Sequence, residues 1–114
     1  MEDRKIGFNY KRRKIILKVN LCNNFEKIIG LMFSLRKAKP LLFEFEKPVK
    51  ISIHSLFVFY PFLALWLDNK NNIVDKRVVT PFRISVSPKK KFSRLIEIPI
   101  NEDNKHLIRL LVGD

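Results

Sequence analysis

The sequence contains little cysteine, glycine and proline, and each shortage excludes a class of protein. The one cysteine, Cys22, has no partner for an internal disulfide, so the fold cannot depend on one. Three glycines cannot build a phosphate-binding loop, and neither GxxxxGK[ST] nor GxGxxG occurs in the chain. With only six prolines as well, there is little room for long flexible loops. A chain of 114 residues of this composition is expected to form one domain without a bound nucleotide or other cofactor.

A long apolar run is also absent. A membrane-spanning helix needs about 20 uninterrupted apolar residues, and the most apolar stretch, Ser52–Asp68, is interrupted by His54 and by Pro61. Because proline cannot donate a hydrogen bond in a central ladder, this stretch is interpreted as two buried strands bent at Pro61. The first residues lack the apolar run of a secretory signal peptide. Together with the single free thiol, these features favour a cytoplasmic location.

Positive charge is abundant. The chain has 23 basic and 11 acidic residues, a formal net charge of +12, and 46% hydrophobic residues, which excludes disorder through low hydrophobicity. Such a charge attracts polyanions, including nucleic acid, and acidic membrane surfaces. The alternative is that the basic residues are a solvated terminus and charged loops. The residues predicted to contact a polyanion lie in three basic clusters: Lys11, Arg12, Arg13 and Lys14; Arg36 and Lys37; Lys89, Lys90 and Lys91.

Alternation of apolar and polar residues predicts about seven short strands. A turn is expected at Asp68–Asn72, because Asp and Asn tolerate left-handed backbone. A short helix capped by Asn24 is expected over residues 24–35. Residues 1–13 are interpreted as a basic N-terminal segment, and residues 14–114 as the β-rich domain. The predicted strands are Lys14–Leu21, Leu41–Pro48, Val49–Tyr60, Phe62–Leu67, Ile73–Val79, a strand beginning at Pro81, and Arg94–Ile100.

Short strands at regular spacing are typical of a mainly β fold, and we expect an antiparallel β-sandwich or barrel with one short α-helix. Alternation carries a risk of a one-residue shift where a strand is apolar on both faces. The predicted core consists of Ile15, Leu17, Val19, Leu31, Met32, Phe43, Phe45, Phe57, Phe59, Leu65, Leu67, Val79, Ile84, Leu95 and Ile96.

Candidate catalytic and metal-binding residues are few. His54 is the only histidine in the core-like region, where a lone histidine is more often a hydrogen-bonded core residue than a ligand. Two histidines and one cysteine far apart do not supply the three or four ligands of a zinc site. Cys22 lies between a strand and a possible helix start, where a thiol pKa can be lowered, but no nucleophile motif surrounds it. A buried thiol is the simpler interpretation.

Six segments follow one another along the chain: GLMF at Gly30–Phe33, LLFEFEK at Leu41–Lys47, IHSLFVFYP at Ile53–Pro61, WLD at Trp66–Asp68, LIEIPI at Leu95–Ile100 and VGD at Val112–Asp114. In this order they resemble the domain-of-unknown-function 192 family, and its archaeal members most of all. The resemblance covers residues 14–114 and implies a compact, mainly β domain with no established enzymatic activity. We separately expect a pocket near His54, formed with Gly30, Met32, Phe33 and Trp66.

The chain departs from the family pattern at three places. Leu63 stands where many members have an aspartate two positions after the proline. Residues 54–58, HSLFV, replace the W-M-K-N-T type segment of bacterial members, and Asn101 stands where a glycine usually follows the proline. A polar site at these positions in the family would be apolar here except at His54, so no catalytic residue is carried over.

Three functional hypotheses follow from the sequence. The first is an uncharacterised small binding or structural domain, not an enzyme, that acts through a groove near His54. The second is a nucleic-acid-associated basic protein that uses the three basic clusters. The third is an enzyme built around His54 or Cys22, which requires one of them to be exposed beside a second titratable group. The partner and the oligomeric state stay open.

Overall fold

The computed structural model describes residues 2–22, 39–53, 55 and 58–113. In these ranges the chain forms six strands, a 3-10 turn at Glu102–Asn104 and a short helix. The elements are β1 (Glu2–Tyr10), β2 (Arg13–Leu21), β3 (Leu41–Val49), β4 (Phe62–Leu67), β5 (Ile73–Val79), β6 (Phe92–Pro99) and α1 (Lys105–Val112).

The six strands form one sheet in the order β1-β2-β3-β6-β4-β5. Every neighbouring pair is antiparallel except β2 and β3, which run parallel over Asn20–Leu21 and Leu41–Leu42. The prediction of a mainly β domain of sandwich or barrel type is confirmed. The parallel pair is a difference in detail, and it arises because residues 22–40 connect the two strands instead of a tight hairpin.

The sheet curls until its two edge strands meet. The backbone N–H of Asn9 at the end of β1 donates to the carbonyl of Asn71, in the turn before β5, at 2.9 Å. The side chains of Asn9 and Asn72 are also hydrogen-bonded, at 2.9 Å. Asn71 has a φ of 63°, and its amide donates to the carbonyl of Gly7 at 2.9 Å. The predicted turn at Asp68–Asn72 is therefore present, and it joins the end of β1 to the opposite edge of the curled sheet.

Two apolar clusters cover the two faces of the sheet, so β4 is buried at all six of its residues. The helix-side cluster includes Phe8 of β1, Leu65 of β4 and Leu111 of α1. The loop-side cluster includes Phe62 and Trp66 of β4, with residues from the irregular segments that cover that face. Full burial of a large apolar side chain contributes about 1.5–3 kcal/mol, so the doubly covered β4 is the centre of the fold.

Helix α1 was not predicted from the sequence. The Asn101 side chain accepts a hydrogen bond from Asn104 N–H at 3.0 Å and begins the turn that leads into it. Leu111 is buried, Leu107 and Ile108 pack beside it, and the helix ends at Gly113, whose φ of 88° suits glycine. Lys76 Nζ on β5 donates to the carbonyl of Leu111 in the last turn. No helix in the described ranges has the length and hydrophobicity needed to cross a membrane.

Two predicted strands are wrong. Neither the stretch Val49–Tyr60 nor the strand beginning at Pro81 is a regular strand where it is described. The two stretches meet instead in one isolated bridge, Ile53 with Val86. Phe82 has a φ of 65°, which no strand tolerates, and it turns the second stretch away from a regular ladder. Strand β1 lies within residues 1–13, which were interpreted as a basic N-terminal segment, and it joins the sheet.

The predicted core is mostly buried, with two errors. Phe59 and Ile84 are exposed because they lie in the irregular stretches just described. Leu31, Met32, Phe57 and the predicted helix over residues 24–35 lie outside the described residues. The positions that are buried or packed against a cluster are Ile15, Leu17, Val19, Phe43, Phe45, Leu65, Leu67, Val79, Leu95 and Ile96.

Candidate functional site

Two lysines face each other on the hairpin of β1 and β2. The register of the hairpin places Lys5 directly opposite Lys18. Both are exposed, and neither forms a hydrogen bond or an ion pair with any part of the chain that the structure describes. Directly opposed like charges destabilise an antiparallel pair. The fold therefore holds two cations together, and no ion pair among the described residues offsets their repulsion.

The lysine pair lies in a groove with a volume of about 610 Å³. Of the other cations at the groove, Arg4 is already paired with Glu2 at 2.7 Å and with Glu44 at 2.9 Å. Lys5, Lys18 and Lys39 are the cations left without an ion pair among the described lining residues. Asp3, Arg4, Lys5, Leu17, Lys18, Val19, Lys39, Pro40 and Asn104 line the groove.

Lys14 extends this positive surface along β2. Successive side chains of a strand alternate between its faces, so Lys14 and Lys18 share a face, about 13 Å apart along the strand. Gly7 of β1 leaves room for the Lys14 side chain, because a Cβ on Gly7 would lie 2.6 Å from Lys14 Cε. We call Lys5, Lys14, Lys18 and Lys39 the cationic strip.

The predicted cluster Lys11–Lys14 lies at the tip of the same hairpin. Lys11 and Arg12 form a two-residue turn with φ values of 47° and 64°, both in the left-handed region that such hairpin turns need. The Tyr10 ring has Lys11 Nζ at 5.3 Å and Lys76 Nζ at 4.7 Å from its centroid. A hydrogen bond from Lys76, at 3.3 Å, lowers the pKa of the Tyr10 hydroxyl below its ordinary value, with Lys11 adding to the effect.

The other predicted basic cluster, Lys89–Lys91, lies on the connection that leads into β6. The Lys89 N–H donates to Asp75 of β5 at 2.9 Å, and Asp75 lies 3.8 Å from the Arg77 guanidinium. The two clusters therefore occupy different elements, the tip of the first hairpin and the entry to β6. Arg36 and Lys37 lie outside the described residues.

The residues predicted to form a pocket are only partly described. Trp66 is fully buried in the loop-side cluster, and its indole Nε1 is a buried donor with no hydrogen-bond partner in the part of the chain that the structure describes. His54, Gly30, Met32 and Phe33 lie outside the described residues, so the pocket stays a prediction. Cys22 is buried in the same cluster, and no group of side chains in the described ranges could hold a metal ion.

A buried acid lies on β6. Glu97 lies between Ala64 of β4 and Leu41 of β3, both members of the loop-side cluster. Its carboxyl group makes no hydrogen bond or ion pair with the described chain, and burial raises its pKa to about 8. Glu97 is therefore largely protonated at neutral pH, which is how an unpaired buried carboxyl avoids the cost of a charge.

The lysine pair could have been found from the sequence by one signal. Ile6, Phe8 and Tyr10 alternate with polar residues and predict a strand before the basic turn. Pairing that strand with Lys14–Leu21 brings Lys5 and Lys18 together, but only if the turn is taken to be two residues long. Lys11 and Arg12 give no such indication, because neither is a usual turn residue.

The chain has relatives among known proteins, although no protein-family model matches it. It is 30% identical over 93 residues to a UPF0127 protein from Pyrococcus furiosus, an alignment that covers 78% of each chain. Among solved structures it is similar to a protein of unknown function from Novosphingobium aromaticivorans, with a TM-score of 0.75, 12% identity, and coverage of 92% of this chain and 78% of that one.

A second solved structure, a candidate transcription regulator from Sinorhizobium meliloti, has a TM-score of 0.75 at 17% identity. The superposition covers 92% of this chain and 84% of the regulator. At such low identities the two structures establish a shared fold and nothing about activity.

Proposed function

The chain belongs to the UPF0127 family of uncharacterised proteins, and we propose that it is a small, non-enzymatic binding domain whose ligand is a polyanion. The relative and the neighbour from Novosphingobium aromaticivorans carry no established activity, so the proposal rests on this chain's own surface. The observation that carries it is the pair Lys5 and Lys18, two exposed cations without ion pairs in the described ranges, opposed across a hairpin in a groove.

Phosphate groups are the natural complement of the cationic strip. Lysine binds phosphate as a point charge, and several lysines in a row neutralise successive phosphates of a polymer and release its counterions. A bound polyanion would also remove the repulsion between Lys5 and Lys18, so part of the binding free energy is stored in the free protein. A neutral ligand would leave that repulsion in place.

Nucleic acid is the polyanion that we favour. The strip follows one face of the hairpin from the groove towards the hairpin tip, so it can track the backbone of a strand. Tyr10 lies on the opposite face, against the helix-side cluster, and is not part of this surface. A positively charged groove that follows the backbone is one part of how proteins bind single strands without reading their sequence. The fold neighbour that is described as a candidate transcription regulator is consistent with this choice.

Binding of a fluorescent single-stranded DNA oligonucleotide at low salt tests the proposal. We expect the wild-type protein to bind, and the Lys5→Gln/Lys18→Gln variant to bind at least tenfold more weakly. The matched control is Lys89→Gln/Lys90→Gln, which removes the same charge from the entry to β6. Absence of binding, or an equal loss in both variants, would overturn the proposal, because the second result indicates only a response to net charge.

The finer features expected from the sequence accompany this proposal. We infer that the chain is an archaeal-type member of the domain-of-unknown-function 192 family, in keeping with its relative from the archaeon Pyrococcus furiosus. We also propose a cytoplasmic location. The hypothesis of an enzyme built on Cys22 receives no support from the buried position of that thiol, and the hypothesis built on His54 stays a prediction.

A further inference from the structure

The two irregular stretches that cover the loop side of the sheet expose a group of large apolar side chains. The exposed fractions are 47% for Ile51, 62% for Phe59, 57% for Phe82 and 80% for Ile84. The rings of Phe59 and Phe82 are in edge-to-face contact, with centroids 5.4 Å apart. We call these four residues the apolar patch. Grouped apolar residues at a surface usually mark an interaction site.

The fold fixes Phe82 in its outward position. Its φ of 65° is a true outlier for a bulky residue, and the buried Ser55 holds it there. The Phe82 N–H donates to the Ser55 carbonyl at 2.9 Å, and the Arg83 N–H donates to Ser55 Oγ at 2.6 Å. Ser55 Oγ in turn donates to the Thr80 carbonyl at 2.6 Å. Buried hydrogen bonds to Ser55 therefore maintain the strained backbone of Phe82, and its ring is exposed to solvent as a result.

Cations lie at both ends of the patch. Arg83 stands between Phe82 and Ile84 in the chain, and Lys50 precedes Ile51. Antiparallel hydrogen bonds between Ile53 and Val86, at 2.7 and 2.9 Å, bring the two stretches side by side, so Lys50 and the Lys89–Lys91 cluster lie towards the same end. None of these five cations forms an ion pair within the described ranges. The occupant of this surface is therefore both apolar and negatively charged.

We propose that the apolar patch and the cations at its ends dock the protein on an anionic phospholipid surface. Apolar side chains flanked by cations gain free energy by entering the acyl boundary while the cations meet the headgroups. A second copy of this chain is a poor occupant, because it would bring five cations against five. Nucleic acid is also disfavoured, since the most exposed member of the patch, Ile84, has no ring with which to stack on a base.

Co-sedimentation with phospholipid vesicles tests the proposal. The full chain is mixed with phosphatidylcholine vesicles, with or without phosphatidylserine. We expect binding only where phosphatidylserine is present, at least fivefold weaker binding for Ile84→Gln, and unchanged binding for Ile16→Gln. Ile16 is the matched control, because it is 67% exposed on β2 and lies outside the patch.

Charge is tested separately. One lysine near an anionic membrane contributes about 1 kcal/mol, close to fivefold in affinity. Lys89→Gln/Lys90→Gln/Lys91→Gln is therefore expected to weaken vesicle binding more than tenfold, whereas Lys5→Gln/Lys18→Gln is expected to retain it.

Equal binding to neutral vesicles, no binding at all, or insensitivity to Ile84→Gln would each overturn the proposal. The proposal would also be overturned if Ile84→Gln lost DNA binding while it kept vesicle binding. The strip plays no part in docking, so this result is independent of the polyanion test.

Discussion

Lys5 and Lys18 lie directly opposite each other across β1 and β2, with no acidic side chain paired to either in the described chain. The repulsion can be converted into an attraction by one substitution, Lys18→Glu. Cross-strand pairs of this kind change stability by about 0.2–1 kcal/mol. We expect Lys18→Glu to raise the free energy of unfolding by that amount while it abolishes DNA binding. Urea denaturation of the wild type, Lys18→Gln and Lys18→Glu measures this, with Gln between the other two. A less stable Glu variant would contradict the argument.

Glu97 makes the stability depend on pH. Its pKa is raised from 4.5 to about 8 in the folded chain, so the unfolded chain releases the proton first as pH rises. Stability is therefore greatest below about pH 4.5 as far as this residue is concerned, and it falls until about pH 8. At roughly 1.4 kcal/mol for each unit of pKa difference, the loss is a few kcal/mol.

The Glu97→Gln variant, which cannot ionise, isolates this effect. Denaturation in urea at pH 5, 6.5, 8 and 9 is expected to show wild-type stability falling relative to Glu97→Gln, and then levelling off above pH 8. Parallel curves for the two proteins would show that the Glu97 carboxyl titrates normally, with access to water or to a partner.

Tyr10 is expected to ionise at a lower pH than an ordinary tyrosine, because Lys76 donates to its hydroxyl and Lys11 lies over its ring. Lys76→Met removes the donor but keeps an apolar stem of similar length, so the pKa of Tyr10 should rise. Phenolate absorbance during an alkaline titration measures the change. Tyr10→Phe identifies which of the two transitions belongs to Tyr10, since Tyr60 is buried. An unchanged titration in Lys76→Met would contradict the contact.

Ser55 is expected to be the most sensitive serine in the irregular stretches. Ser55→Ala leaves the Arg83 N–H and the Thr80 carbonyl without their partner, and a buried unsatisfied group costs about 1–3 kcal/mol. The matched control is Ser52→Ala, whose hydroxyl pairs with Ser87 at 2.6 Å on the exposed surface. We expect a loss in the free energy of unfolding for Ser55→Ala and almost none for Ser52→Ala. If Ser55→Ala and Ser52→Ala destabilised the protein equally in thermal denaturation, the claim that Ser55 holds Phe82 in place would be contradicted.

The strands in which apolar and polar residues alternate clearly could be predicted from the sequence. The errors at β1 and at Phe82 have local causes. Strands β2, β4, β5 and β6 alternate or are continuously apolar, so their positions follow from side-chain pattern. Strand β1 was missed because its turn is made by Lys11 and Arg12, which adopt positive φ without glycine or asparagine. Phe82 looked like a strand residue, and only tertiary hydrogen bonds to Ser55 explain its positive φ.

The candidate site could be reached from the sequence only by assuming a two-residue turn at Lys11 and Arg12. Lys5 and Lys18 are 13 positions apart, and nothing in either neighbourhood marks them as special. Their opposition is a property of hairpin register, which a one-residue slip would remove. The burial of Glu97 has the same origin, because LIEIPI has the pattern of an exposed glutamate on a half-buried strand until a second layer covers that face.

The salt dependence of binding to single-stranded DNA tests the central claim most directly. Each phosphate that is neutralised on a single strand contributes about −0.7 to the slope of log Kobs against log salt, so four lysines of the strip predict a slope of roughly −3. Lys5→Gln/Lys18→Gln should reduce the magnitude of that slope by about 1.4, and Lys89→Gln/Lys90→Gln should leave it unchanged. A slope that is the same in the wild type and in Lys5→Gln/Lys18→Gln would contradict the claim that the cationic strip holds the polyanion.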